Sequence, residues 1–286
     1  MKQGFVKVAS ATPRIRVADP VYNAQVICEQ AKEAAEHGAK IVVFPELCIT
    51  GYTCNDLFLQ ELLLEKAKEA LLTIAEETGQ LETLFLVGLP VDKDGRLYNV
   101  AAVLYRGRIL GMIPKKNIPM YAEFYEGRHF TPGEETVTEY RLGKQVIPFG
   151  SNLLFRCEEL PELILGCELC EDLWVAEPPS TSHALMGATV IANLSASNET
   201  VSKDDYRTLL IKASSARLLC GYIYTSAGEG ESTQDLVFGG HDLIAENGTL
   251  LVQSARFTTG ILYTDLDVLK ICLLYTSPSP RDPKTS

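Results

Sequence analysis

Short apolar runs alternate with helical periodicity along the first half of this chain. Phe5 to Ala11 reads as a buried strand. From Pro20 to Gly38, Val21, Ala24, Val26, Ile27, Ala31, Ala34 and Ala35 recur at helical spacing, and Gly38 supplies a stop. Ile41 to Phe44 is continuously apolar, as in a strand covered on both faces, and ends at Pro45-Glu46. A long helix is predicted over Leu57–Gly79 and a strand over Leu84–Leu89. Turn signals at Asp92-Lys93-Asp94-Gly95 and Tyr105-Arg106-Gly107-Arg108 frame strands at Leu97–Leu104 and Ile109–Ile113.

The second half predicts a strand at Leu163–Cys170, a short helix at Ser182–Gly187, a strand at Ala188–Leu194 and a helix at Lys203–Leu219. Strands follow at Tyr222–Thr225, Leu236–Phe238, Asp242–Ala245 and Leu250–Val252, with Glu246-Asn247-Gly248 as a hairpin turn. Alternating strands and helices, then hairpins, describe a mixed sheet with helices on one face. A sheet needs cover on both faces, which favours two such layers packed sheet to sheet.

Composition changes this picture little. The 286 residues are 46% hydrophobic and 22% charged, as expected of a globular protein. A formal net charge of -11 argues against nucleic acid or an anionic membrane as partner, since both need a basic footprint. No apolar run approaches the roughly 20 residues of a membrane span. The N-terminus carries no apolar signal segment, so the eight cysteines are read as reduced thiols of a cytoplasmic protein. The last fifteen residues, 272–286, are rich in Pro, Ser and Thr. They are expected to form a disordered, non-native tail after a domain at residues 1–271.

Three reactive side chains fall at predicted strand ends: Glu46, Lys115 and Cys170. A thiol, a carboxylate and an ammonium are a complete set for acyl transfer. The carboxylate takes the thiol proton and returns it to the leaving amine. The ammonium meets the oxyanion. Each residue alone reads as an ordinary surface or packing position.

The local sequences go further. Phe44-Pro45-Glu46-Leu47-Cys48-Ile49-Thr50-Gly51-Tyr52, Pro114-Lys115-Lys116-Asn117-Ile118-Pro119-Met120-Tyr121 and Gly166 to Trp174 (GCELCEDLW) resemble, in order, the three signatures of the nitrilase, or carbon–nitrogen hydrolase, superfamily. Lys115 rather than Lys116 fits the Lys-x-x-Leu-Pro frame, with Ile118 in place of Leu. Cys170 to Trp174, Pro178-Pro179-Ser180 and Asn193 to Glu199 are similar to the glutaminase domains of glutamine-dependent NAD synthetases.

The resemblance implies an α/β fold, a four-layer α-β-β-α sandwich, and hydrolysis of the L-glutamine amide through a Cys thioester. It implies Cys170 as nucleophile, Glu46 as base and Lys115 at the oxyanion. Glu126, Glu171 and Phe124 would support them, and Tyr121, Ser197 and Lys203 would contact glutamine. It implies no metal or cofactor for this domain. ATP and Mg belong to a separate synthetase domain, whose Gly-rich pyrophosphate loop does not occur in this sequence. L-glutamine, that synthetase domain and further copies of the chain are the expected partners.

Other readings use the same residues. A free-standing amidase or carbamoylase would keep the triad and change the amide. Cys167-x-x-Cys170 is formally a redox or half-zinc motif, but no second pair has ligand spacing. A Cys–His dyad would need one of the scattered His37, His129, His183 or His241. A scaffold with a vestigial site would not require all three reactive residues. Cys48 is read as packing.

Overall fold

The structure, a computed structural model, describes residues 3–231 and 235–276. The chain opens with β1 (Phe5–Thr12), α1 (Pro20–Glu36), β2 (Ile41–Val43) and α2 (Glu61–Glu77), then β3 (Leu84–Lys93), β4 (Arg96–Tyr105) and β5 (Arg108–Pro114). The middle holds β6 (Thr138–Leu142), β7 (Gln145–Phe149), β8 (Phe155–Arg156), β9 (Ile164–Leu169), α3 (Pro179–Leu185) and β10 (Val190–Ser195). The end holds α4 (Lys203–Leu218), β11 (Gly221–Ser226), β12 (Leu243–Glu246), β13 (Thr249–Gln253), β14 (Gly260–Asp267) and α5 (Val268–Thr276).

Among the described residues the strands form two mixed sheets. One has eight strands in the order β14-β1-β2-β3-β4-β5-β7-β6, the other six in the order β13-β12-β11-β10-β9-β8. Apolar faces decide how they stack. Val8, Val43, Leu86, Val103 and Ile113 of the first sheet meet Leu165, Cys167, Ala192, Ile223 and Ile244 of the second in one dry interface. The outer face of the first sheet packs on Ile27, Ala31, Leu71 and Ile74 of α1 and α2. The outer face of the second packs on Ala184 of α3 and Ile211 and Leu218 of α4. The result is the expected four-layer α-β-β-α sandwich.

Local chemistry fixes the element ends. Asp19 caps α1 by accepting from the Tyr22 amide at 3.1 Å, and Pro20 opens the helix, where its missing N–H costs nothing. Gly38 ends it at φ 84°.

Several expectations need correction. The helix predicted from Leu57 begins at Glu61. Before it, Tyr52–Leu59 winds as a 3-10 segment broken by Asn55 at φ 50°, ψ -131°. Leu236–Phe238 is no strand; Phe238 forms an isolated bridge to Asn198. Leu163 and Cys170 lie just outside β9. The helix predicted from Ser182 starts at Pro179. Residues 272–276, assigned to the tail, continue α5, which anchors itself through buried Val268 and Ile271. Residues 277–286 lie outside the described residues.

Candidate active site

Glu46 stands just past β2, where the two sheets touch through their backbones: the Glu46 amide donates to the Ser195 carbonyl at 3.3 Å. Gly88 of β3 makes room for this. A Cβ there would lie 2.3 Å from the Leu47 nitrogen and 2.6 Å from the Pro45 oxygen. The Glu46 carboxylate is fully buried and bonded on both oxygens. Oε1 accepts from Lys115 Nζ at 2.7 Å and from Asn99 Nδ2 at 2.7 Å; Oε2 accepts from the Ala196 amide at 2.9 Å.

Lys115 follows β5, its amide held by the Asn99 carbonyl. Its ammonium, 0% exposed, bridges Glu46 and Glu126 Oε1, the latter at 2.6 Å. Burial alone would lower such an ammonium, but Glu126 and Glu46 outweigh it and hold the group well above the ordinary lysine range. Lys115 is a fixed cation. Glu126 sits on a short 3-10 turn and also accepts from the Tyr52 hydroxyl at 2.8 Å. Burial, with Glu46 nearby, pushes its carboxyl up against the pull of Lys115.

Cys170 starts a 3-10 turn at the end of β9, 6% exposed, with φ 39°. Non-glycine residues rarely take that conformation, and its occurrence at a reactive side chain is typical of sites that aim a nucleophile. Burial and then Glu46 push its thiol up, while Lys115 and the Ala196 amide pull the other way. The resting group is a thiol, not a thiolate, with a carboxylate and an ammonium in electrostatic reach.

The remaining expected residues gather around this cluster. Tyr121 donates to Glu171 at 3.0–3.1 Å and meets Phe124 edge-on. Lys203, at the first turn of α4, donates to Asn198 Oδ1 and lies over the rings of Trp174 (5.3 Å) and Phe124 (5.6 Å). Burial holds its ammonium below the ordinary lysine range. Ser197 is 2% exposed, and its Oγ accepts from Arg207 at a long 3.5 Å. Cys167 points into the sheet interface, away from any site role. Cys48 packs in the core under α1 and α2, its sulfur against the Gly88 backbone.

The sequence reading missed Asn99, Tyr52, the Ala196 amide and Trp174. Asn99 carried a signal: a lone amide inside the apolar run Leu97–Leu104 needs a buried partner. A backbone amide carries no side-chain signal at all.

A doubly layered α/β fold with a buried Glu–Lys–Glu cluster beside a strained cysteine defines an amide-processing enzyme, and the chain belongs to the carbon–nitrogen hydrolase family, which it matches over residues 7–271. It is 43% identical over 267 residues to the glutamine-dependent NAD(+) synthetase of Mycobacterium tuberculosis (strain ATCC 25618 / H37Rv), covering 93% of this chain and 39% of that protein. The chain thus spans about two-fifths of the length of the mycobacterial relatives it matches. The crystal structure of a glutamine-dependent NAD(+) synthetase from Cytophaga hutchinsonii superposes with a TM-score of 0.83 at 28% identity, covering 92% of this chain and 43% of that one. An amidase from Nesterenkonia sp. shares the fold at a TM-score of 0.72 and 21% identity, with 94% of each chain covered. No helix among the described residues is long and apolar enough to cross a membrane.

Proposed function

We propose that this domain hydrolyses the side-chain amide of L-glutamine to glutamate and ammonia through a Cys170 thioester. The ammonia would serve an ATP- and Mg-dependent synthetase segment that makes NAD from deamido-NAD. The observation that carries the hydrolase reading is the fully buried Lys115 ammonium clasped by Glu46 and Glu126 beside Cys170. Likeness to the glutamine-dependent synthetases supports the choice of amide and of downstream partner.

The chemistry follows from the protonation states. As Cys170 sulfur forms its bond to the amide carbon, its proton passes to Glu46. The carbonyl oxygen gains the negative charge, which the Lys115 ammonium stabilises without reorganising. The carbon–nitrogen bond then breaks, and Glu46 gives its proton to the departing nitrogen, releasing ammonia. Water attacks the thioester as Glu46 takes a proton from it; the carbon–sulfur bond then breaks, and Glu46 returns that proton to the departing sulfur, leaving Cys170 as thiol and glutamate free. Glu126, bonded to Tyr52 and Asn99, holds Lys115 in place. Lys203 offers a cation without a carboxylate partner among the described residues, suited to the substrate α-carboxylate. Tyr121, Glu171, Phe124 and Ser197 would shape the same pocket.

The test is ammonia release from L-glutamine, with mass spectrometry after diazo-oxo-norleucine. Turnover and an adduct on the Cys170 peptide are expected, and both should vanish in folded Cys170→Ala. Adduct without turnover would mean that the missing length of the synthetase relatives switches the site on. Neither, from folded protein, would move the assignment to another small amide.

A further inference from the structure

One buried carboxylate joins the two loops that deliver the nucleophile and the ammonium. Asp172, 1% exposed, lies two residues after Cys170. Its Oδ2 accepts from the Leu169 amide at 3.0 Å and the Lys116 amide at 3.5 Å. Its Oδ1 accepts from the Asn117 amide and from Asn117 Nδ2, both at 2.8 Å. The donors are the residue immediately before Cys170 and the two residues immediately after Lys115. Four N–H groups from two chain segments, which belong to different sheets, converge on one side chain.

That arrangement does more than cap a turn. The 3-10 turn at Cys170–Leu173 needs its own amides satisfied, and the Leu169 bond does that. The bonds to Lys116 and Asn117 have no such local purpose. They pin the exit of β5, in the eight-stranded sheet, to the exit of β9, in the six-stranded sheet. Apolar packing between sheets is non-directional and tolerates sliding, whereas a carboxylate with four directed donors does not. The left-handed Cys170 backbone also needs surroundings that over-determine it. The Asp172 bond to the preceding amide supplies part of that constraint.

We infer that Asp172 is a positioning residue that sets the distance and angle between the Cys170 sulfur and the Lys115 ammonium. It touches neither substrate nor the reacting atoms. Misplacing reacting groups by an ångström costs on the order of 100-fold in rate, so loosening this latch should slow acylation while leaving substrate affinity in place. The inference rests on Cys170 being the nucleophile and not on which amide is hydrolysed.

Asp172→Asn separates this role from simple stability. The amide keeps the volume and one acceptor oxygen, but turns N–H groups toward two of the four donors. The reaction to follow is alkylation of Cys170 by chloroacetamide, a small amide electrophile, read by intact mass and assigned by peptide mapping because Cys157 and Cys272 are partly accessible. In folded Asp172→Asn the maximal labelling rate should fall about 30-fold or more, with the half-saturating concentration within twofold, and kcat for glutamine should fall in parallel at constant KM. A labelling rate within threefold of wild type in folded variant overturns the latch, whatever its melting temperature. Should Asp172→Asn fail to fold, Asn117→Asp, at a half-buried position, sets carboxylate against carboxylate and pushes the Lys115 loop away. A roughly tenfold slower labelling is then expected, and an unchanged rate overturns the inference. Labelling of wild-type Cys170 without glutamine turnover would leave the latch to be judged by labelling alone. No labelling of wild-type Cys170 would remove the nucleophile and the latch with it.

Discussion

Among the described residues, two buried ionic clusters are built for different ends. In the first, one ammonium, Lys115, stands between two carboxylates, Glu46 and Glu126. In the second, the guanidinium of Arg207 faces Glu199 at 2.7 Å and His241 at 2.9 Å, and reaches the Ser197 hydroxyl and Asn198 carbonyl at 3.3–3.5 Å. Burial and Arg207 together depress the His241 imidazole, so that the fully buried part of this cluster holds one cation against one anion, with the half-exposed Arg256 at 4.0 Å from the other Glu199 oxygen. The Arg207 cluster is balanced and spends its donors on the loop after β10. The Lys115 cluster carries one carboxylate too many, and Cys170 lies beside it. On the proposed mechanism the balanced pair is architecture, and the unbalanced cluster beside Cys170 is chemistry.

Substitutions that keep volume but remove charge break the comparison most directly. Lys115→Met should cut glutamine turnover by roughly 10²–10³-fold or more, the loss expected on removing an oxyanion donor, measured as kcat on protein verified as folded by circular dichroism. Arg207→Met should act mainly on stability. Leaving Glu199 with only the more distant Arg256 costs up to about 3–5 kcal/mol, read as a lower denaturant midpoint, with kcat of the folded fraction within about tenfold. Equal losses of kcat in the two variants would erase the distinction.

Another buried carboxylate, with no cation partner among the described residues, sharpens the contrast. Glu231 accepts from the Tyr52 amide at 2.7 Å, and burial pushes its carboxyl up to about 8 from 4.5. The raised value means that the folded state holds the proton longer than the unfolded chain. Between about pH 4.5 and pH 8 the native state binds more protons, so this group's contribution to stability falls as pH rises through that window. Glu231→Gln cannot lose a proton. Its melting temperature relative to wild type should therefore rise from pH 5 to pH 8.5, by a few degrees at most. A difference independent of pH would show that Glu231 does not titrate there.

Legibility in the sequence followed the same division. Glu46, Lys115 and Cys170 stood out because each interrupts or ends an apolar run, and β1, β3, β4, β5 and β10 were plain from continuous apolar stretches. The paired strands β6 and β7 were not. They sit at a sheet edge with polar residues on the open face, so only Tyr140, Leu142, Ile147 and Phe149 mark them. β14 was missed for a related reason: it is an edge strand beside β1, and most of its side chains remain partly exposed. The helix predicted at Leu57 was overdrawn because Leu57 and Leu59 extend the Leu-rich run that opens α2, although both are exposed. Asn55, in the left-handed region, ends one segment before the next begins. Residues that work through the backbone, such as Ala196, are invisible to any reading of side chains.

Gly88 has no functional group, yet Pro45, Glu46 and Leu47 rest against the space its missing side chain leaves. Among the positions that place Glu46, the proposed base, it is therefore the one where the gentlest mutation does the greatest harm. Alanine, a neutral change almost anywhere else in a strand, would insert a methyl group into occupied backbone and drive the chain bearing Glu46 outward. For anyone transplanting or redesigning this site, the void in β3 must be copied as faithfully as the three reactive side chains, because the base is located by an atom that is not there.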